Sequence, residues 1–173
     1  MALHSRPLWQ TEIMPEWTEL QVVDGLRLRV VASKSGILAI DLRPSGPVSG
    51  APRNDENALL QEATRQLQSY FVGDLRKFNL PLDMQGTPFQ KRVWNQLLKI
   101  PYGETRSYTQ IAIAAGAPNA VRAVGAANGA NPIPIIVPCH RVIGADGRLT
   151  GYGGGLPMKK RLLELEGAIP MSL

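Results

Sequence analysis

Ile133-Pro134-Ile135-Ile136-Val137-Pro138-Cys139-His140-Arg141-Val142 is an apolar run that delivers the only cysteine of a 173-residue chain beside an imidazole. Two short helix patterns precede it, and a glycine-rich turn and a last helix follow it. Taken alone, the run predicts a buried strand carrying a thiol. A single buried cysteine is usually just a small hydrophobe. A working thiol must become a thiolate, and burial opposes that unless a base or fixed positive dipoles lie close. His140 is the adjacent candidate, but neighbours on a regular strand point to opposite faces. Contact between Cys139 and His140 therefore requires a bend at Pro138 or a bridging water.

Upstream, Thr87-Pro88-Phe89-Gln90 supplies a capping residue, a proline at the first helical position and a capping-box glutamine. It opens a helix to about Lys99 that buries Phe89, Val93, Trp94 and Leu97. Ser107-Tyr108-Thr109-Gln110 repeats the pattern and starts a short helix through Ala114, ended by Gly116. Pro118 or Asn119 opens the next, which stops at Asn128-Gly129. Two short helices across a tight glycine turn follow helix-turn-helix logic, although plain core packing gives a similar pattern. In the second helix Ala120, Ala123, Gly125, Ala126 and Ala127 leave Arg122 as the only charged side chain. Backbone can then press close to DNA while one arginine enters the stack or the groove. After Cys139, Ala145-Asp146-Gly147 predicts a hairpin tip, hence a wing. Leu156-Pro157 opens a final helix that turns Leu162, Leu163 and Leu165 inward before Gly167.

The N-terminal half has strand-like runs at 17–23, 26–32 and 36–42, then a Pro-, Gly- and Ser-rich loop at 45–54. Residues 55–72 carry Leu59, Leu60, Ala63, Leu67, Tyr70 and Phe71 at helical spacing, closed by Gly73. Residues 80–86 predict a linker, dividing the chain into 1–85 and 86–173. The first half has nine basic against ten acidic residues, the second ten against four. A basic second half suits a polyanionic partner. One cysteine excludes an intramolecular disulfide and suits a reducing compartment. Residues 1–17 lack the apolar run of a signal peptide, and no stretch could span a membrane, so a soluble, cytoplasmic protein is expected.

The order Asn131-Pro132, the Ile-Pro-Ile-Ile-Val-Pro-Cys-His-Arg-Val-Ile-Gly run, and Gly151-Tyr152 with its glycines resembles the O6-alkylguanine-DNA alkyltransferase family. The similarity is strong over 86–167 and covers the first half only in layout. It implies a mixed α/β (α+β) fold, in which a ribonuclease H-like sheet-and-helix domain precedes a winged helix-turn-helix domain. It implies DNA repair by one irreversible transfer of an alkyl group from guanine O6, or thymine O4, to Cys139, without a cofactor. His140, a water and Glu166 would activate the thiol, lowering its effective pKa, and Asn131 would tie the recognition helix to the cysteine segment. Tyr108 would contact the flipped guanine and a phosphate, and Arg122 would replace the extruded base. Flipping is physically required, because a stacked base cannot bring its O6 group to a buried thiol.

The resemblance also places Val142, Tyr152, Gly153 and Gly154 at the substrate, and Thr109, Ala120, Ala123 and Gly125 with Arg122 on DNA. Some relatives have serine where this chain has Gly153, so backbone N–H groups must serve O6 here. Three successive glycines, 153–155, predict a roomy, mobile pocket mouth. The implied partner is duplex DNA carrying O6-alkylguanine, bound in the minor groove by a monomer, with cooperative packing along DNA left open. No structural zinc is expected, since beyond Cys139 and His140 only His4 could join such a site. The alternative is a helix-turn-helix module that recognises lesions without catalysis and uses Cys139 only structurally.

Overall fold

A computed structural model describes residues 14–171; His4 lies outside them. The three N-terminal runs form an antiparallel sheet, β1 (Glu16–Gln21), β2 (Arg27–Ser33) and β3 (Gly36–Asp41), in that order. Trp17 pairs with Val31 and Leu20 with Leu28 across β1 and β2, and Val30 with Ile40 across β2 and β3. Alternation puts Leu28, Val30 and Ala32 on one face. They share a core with Leu60, Ala63 and Leu67 of α1 (Ala58–Phe71). Asn57 caps α1 by accepting from the Leu59 and Leu60 N–H groups, which places its start three residues later than the pattern predicted. The other face carries Trp17 with the Arg29 guanidinium 4.6 Å from its ring centroid.

Both sheet edges are covered, which removes the hazard of open strand edges. Trp17 exchanges hydrogen bonds with Pro52 and Asn54 at the β1 edge. At the β3 edge Ile37 N–H donates to Pro81 O at 2.8 Å and Asp83 N–H to Ile37 O at 2.8 Å. The segment expected as a linker therefore docks beside β3. A little further along the same edge, Ile40 N–H donates to Pro132 O at 2.9 Å.

The second half packs α2 (Pro88–Leu97), α3 (Tyr108–Ala114) and α4 (Val121–Gly129) around Trp94, whose indole N–H donates to Ala127 O at 2.8 Å. Both capping boxes form, at Thr87 with Gln90 and at Ser107 with Gln110. Helix α4 starts later than expected, after Ala120, with no capping side chain. The turn expected at Ala145-Asp146-Gly147 forms. Gly144 N–H bonds Arg148 O at 2.9 Å around it, and β5 (Val142–Ile143) pairs in parallel with β4 (Arg106–Ser107). Helix α5 (Leu156–Leu165) turns Leu162 and Leu163 fully inward. No helix among the described residues is long and apolar enough to cross a membrane.

At Gly36 an added Cβ would lie 2.6 Å from Pro81 O, too close for either backbone to keep its place. Gly36→Ala should therefore destabilise the fold by about 2 kcal/mol or more, read as a lower urea midpoint, because the docked segment must move.

Candidate functional site

The run ahead of the cysteine is not a strand. Prolines 132, 134 and 138 remove the donors a ladder needs. The chain instead closes on itself, with Val137 N–H donating to Ile133 O at 2.9 Å. Asn131 fixes this turn from inside: its Nδ2 donates to Val137 O at 2.8 Å and its Oδ1 accepts from Ile133 N–H at 3.0 Å. At the tip, Ile135 is held at φ +76°, a left-handed conformation that costs a β-branched residue about 1–2 kcal/mol. Cys139, His140 and Arg141 then make one turn of 3-10 helix, all three buried.

Cys139 is 5% exposed and lies in the wall of a cavity of about 350 Å³. Asn128, Asn131, Pro134, Tyr152, Gly153 and Gly154 line it with the thiol. Burial pushes the Cys139 thiol up to about 11, against the Asn131 amide and the Lys159 ammonium, which favour the thiolate. The His140 backbone contributes a hydrogen bond that favours the thiolate, but no hydrogen bond joins the Cys139 thiol to the His140 imidazole among the described residues.

Behind the thiol, His140 and Glu166 have fully buried side chains, and His140 Nε2 lies 2.8 Å from Glu166 Oε1. Arg141 holds the same carboxylate through Nε and Nη2, at 2.8 and 2.9 Å, and gives Nη1 to Ile100 O at 2.6 Å. Tyr70, from α1, donates its hydroxyl to Glu166 Oε1 at 2.6 Å. Burial alone would raise the Glu166 carboxyl, but His140 and Arg141 outweigh it and hold it at about 2. Burial also lowers the His140 pKa, with Glu166 opposing. Arg141 already cancels the Glu166 charge, so a protonated imidazole would leave a net buried cation. The pair is therefore a neutral histidine and a carboxylate, and the histidine's Nδ1 is buried with no hydrogen-bond partner among the described residues.

Three groups in this site escaped the sequence pattern as chemistry: Tyr70, Lys159 and Arg141, the last legible only as part of the motif. Tyr70 was legible only as core. Lys159 is buried and donates to Val142 O at 2.5 Å and Thr150 O at 2.7 Å, with burial lowering its pKa to about 8. The signal was present: Lys159, Leu162, Leu163 and Glu166 follow the i, i+3, i+4, i+7 spacing of one helical face.

Other predicted positions fall outside the cavity. Val142 is fully buried in β5 and offers only its carbonyl, to Lys159. Tyr108 opens α3 and packs over α4, where a Cβ at Gly125 would lie 3.9 Å from its ring. Arg122 and Ala123 are exposed on α4, Thr109 on α3, and Ala120 is half-buried. Gly154 is not open space: a Cβ there would meet Leu42 Cδ1 at 2.7 Å and Tyr152 Cε1 at 2.8 Å, whereas one at Gly153 would meet nothing within 4 Å.

The fold and site define a helix-turn-helix protein with a thiol, imidazole and carboxylate buried beneath it and a sheet-and-helix partner docked alongside. Residues 26–84 match the family model of the 6-O-methylguanine DNA methyltransferase ribonuclease-like domain, and residues 88–168 that of its DNA binding domain. The methylated-DNA–protein-cysteine methyltransferase of Mycobacterium tuberculosis is 66% identical over 104 residues, 60% of this chain and 63% of that protein. Its Mycobacterium leprae counterpart is 64% identical over 111 residues, 64% of this chain and 67% of that protein. A crystal structure of the Mycobacterium tuberculosis protein in complex with DNA superposes with a TM-score of 0.82 and 47% identity, covering 88% of this chain and 93% of that one. The chain belongs to the 6-O-methylguanine DNA methyltransferase family.

The carboxylate and imidazole give the fold an acid-sensitive limb. Both folded pKa values lie below their unfolded ones, so both groups contribute stability at high pH that is lost as pH falls. Loss should begin below about pH 6.5 with His140 and steepen below about 4.3 with Glu166, whose share is about 3 kcal/mol. Chemical unfolding across pH should show both limbs, and Glu166→Gln should remove the lower one. Tyr70→Phe should cost about 1–3 kcal/mol by taking a donor from a buried anion.

Proposed function

We propose that the protein repairs DNA by moving the alkyl group of an O6-alkylguanine onto Cys139, once per chain. The observation that carries this is Cys139 in the wall of the cavity, backed by anionic Glu166 and a neutral His140 with Nδ1 unpartnered. With Nε2–H donating to Glu166, Nδ1 presents a lone pair. It takes the thiol proton through one water, which suits a thiol whose resting pKa is about 11. The sulfur attacks the alkyl carbon in line; the C–S bond forms as the C–O6 bond breaks. The electron pair stays on guanine O6, stabilised by a proton or hydrogen bond at the O6/N1 edge. Backbone N–H groups near Gly153 act there, since that position has no hydroxyl. A thioether has no route back to the thiol, so turnover ends. O4-alkylthymine presents the same alkyl–oxygen bond.

Duplex DNA is the partner, bound by α4 in the minor groove. Its exposed face is small apart from Arg122, and its uncapped first turn leaves N–H groups for a phosphate. Arg122 fills the space of the extruded base, and Tyr108 at the start of α3, whose ring lies over Gly125 of α4, contacts the flipped guanine. The tuberculosis relative's complex with DNA supports this partner. The family-model ranges support a division into two domains near residue 85. A monomer in the reducing cytoplasm fits a protein that depends on one free thiol.

Intact-mass measurement after incubation with DNA containing O6-methylguanine should show one added methyl, on the Cys139 peptide. Cys139→Ser should abolish transfer and keep DNA binding; repeated turnover without protein modification would sink the proposal, and binding without any mass gain would favour the non-catalytic module. Arg122→Ala should slow transfer from duplex DNA about a hundredfold, equivalent to about 3 kcal/mol of unstacking, while hardly affecting reaction with free O6-benzylguanine. Equal losses on both would assign Arg122 to the fold or the cavity instead.

A further inference from the structure

One wall of the cavity comes from the other half of the chain. Ile40, Leu42 and Arg43, at the end of β3 and just beyond it, line the cavity together with Gly151, Tyr152, Gly153 and Gly154. The Arg43 guanidinium donates to Gly154 O at 2.7 Å across 111 residues of sequence. Among the described residues this is the one side-chain hydrogen bond that reaches segment 151–155 from elsewhere. Leu42 is 8% exposed and packs against the same segment, so closely that a Cβ at Gly154 would lie 2.7 Å from Leu42 Cδ1. A Cβ at Gly155 would lie 2.8 Å from Arg43 Nη2. Arg43 is itself set by its own N–H, which donates to Asp41 Oδ1 at 2.8 Å, and β3 is tied to the opposite rim by the bond from Ile40 to Pro132.

Four glycines in five residues give segment 151–155 little conformational preference of its own. Something outside it must hold it at a fixed distance from Cys139, and the contacts from Leu42 and Arg43 are placed to do so. We propose that Leu42 and Arg43 form a clasp that sets the width of the alkyl cavity and holds the glycine segment in its substrate-ready position. The clasp rests on the alkyl-transfer reading above and adds a specificity role for the N-terminal half. Arg43 is a positioning residue acting through Gly154, and Leu42 decides how large an alkyl group fits.

The test uses the full chain, with O6-benzylguanine as the large probe and O6-methylguanine in DNA as the small one. Arg43→Ala should raise the half-saturating benzylguanine concentration about tenfold and leave the limiting rate within about twofold, since ordering the segment is then charged to binding. Arg43→Lys, which can still reach Gly154 O, should recover most of this, and Arg43→Met should not. Leu42→Phe should cut the benzyl-to-methyl rate ratio about tenfold, the scale of a small change in pocket volume, and Leu42→Ala should raise it. Unchanged ratios in both Leu42 variants, or equal losses in Arg43→Lys and Arg43→Met that follow a lowered melting temperature, would overturn the clasp while leaving transfer intact. No mass gain on wild-type Cys139 with either probe would overturn the transfer reading, and the clasp with it.

Discussion

The Glu166 carboxylate lies where water does not reach, and an unpaired anion there would cost several kcal/mol. Its donors come from separate parts of the chain: the Tyr70 hydroxyl from the N-terminal helix, the Arg141 guanidinium and the His140 imidazole from the cysteine turn. The Gly103 N–H adds a longer contact at 3.4 Å. Each donor can be in place only if its segment is, so the charge requirement joins α1, the turn after α2, the cysteine turn and the end of α5. The same carboxylate fixes the protonation state of the histidine, because Arg141 has already neutralised it. Stability and reactivity therefore draw on one group, and a change to any donor acts on both.

A thiol held near 11 is a poor nucleophile at neutral pH, which at first sight argues against a reactive site. The high value instead keeps the sulfur protonated, and so resistant to oxidants and to stray electrophiles that react with thiolates. Under the proposed mechanism, reactivity depends on the moment when a substrate fills the cavity and the base takes the proton. On the alkyl-transfer reading, in which one reaction spends the protein, a guarded thiol is better than a permanently ionised one. Lys159, whose charge favours the thiolate, is engaged with two carbonyls and stabilises the anion without approaching the sulfur as a base.

Most of the architecture was legible in the sequence. The strands, the two capping boxes and the apolar face of α1 obey local rules, and the structure moves their ends by a few residues. The segment before Cys139 was misjudged because apolar composition predicts burial but not conformation; its three prolines were the stronger signal. Asp146-Gly147 specified its turn, which forms, but a local turn signal could not show that β5 pairs with β4. Cys139, His140 and Glu166 came from the motif and its resemblance to a family. Tyr70 and the Leu42–Arg43 wall could not, because their partners lie about a hundred residues away and no local pattern encodes such a meeting. Lys159 lay between: its helical face was readable, but a lysine on an apolar stripe is easily taken for solvated.

The 3-10 turn at 139–141 has a further consequence, which concerns angle rather than energy. With three residues per turn, successive side chains leave the axis about 120° apart, whereas a strand offers only two directions. Three adjacent letters of sequence are thereby sent to three destinations: sulfur to the cavity, imidazole to the carboxylate, guanidinium to the carboxylate's far side and the Ile100 carbonyl. Order within the triplet is then a compass setting. Insert or delete one residue between Pro138 and Val142, and every bearing rotates by a third of a circle, leaving the same chemical groups aimed at the wrong neighbours.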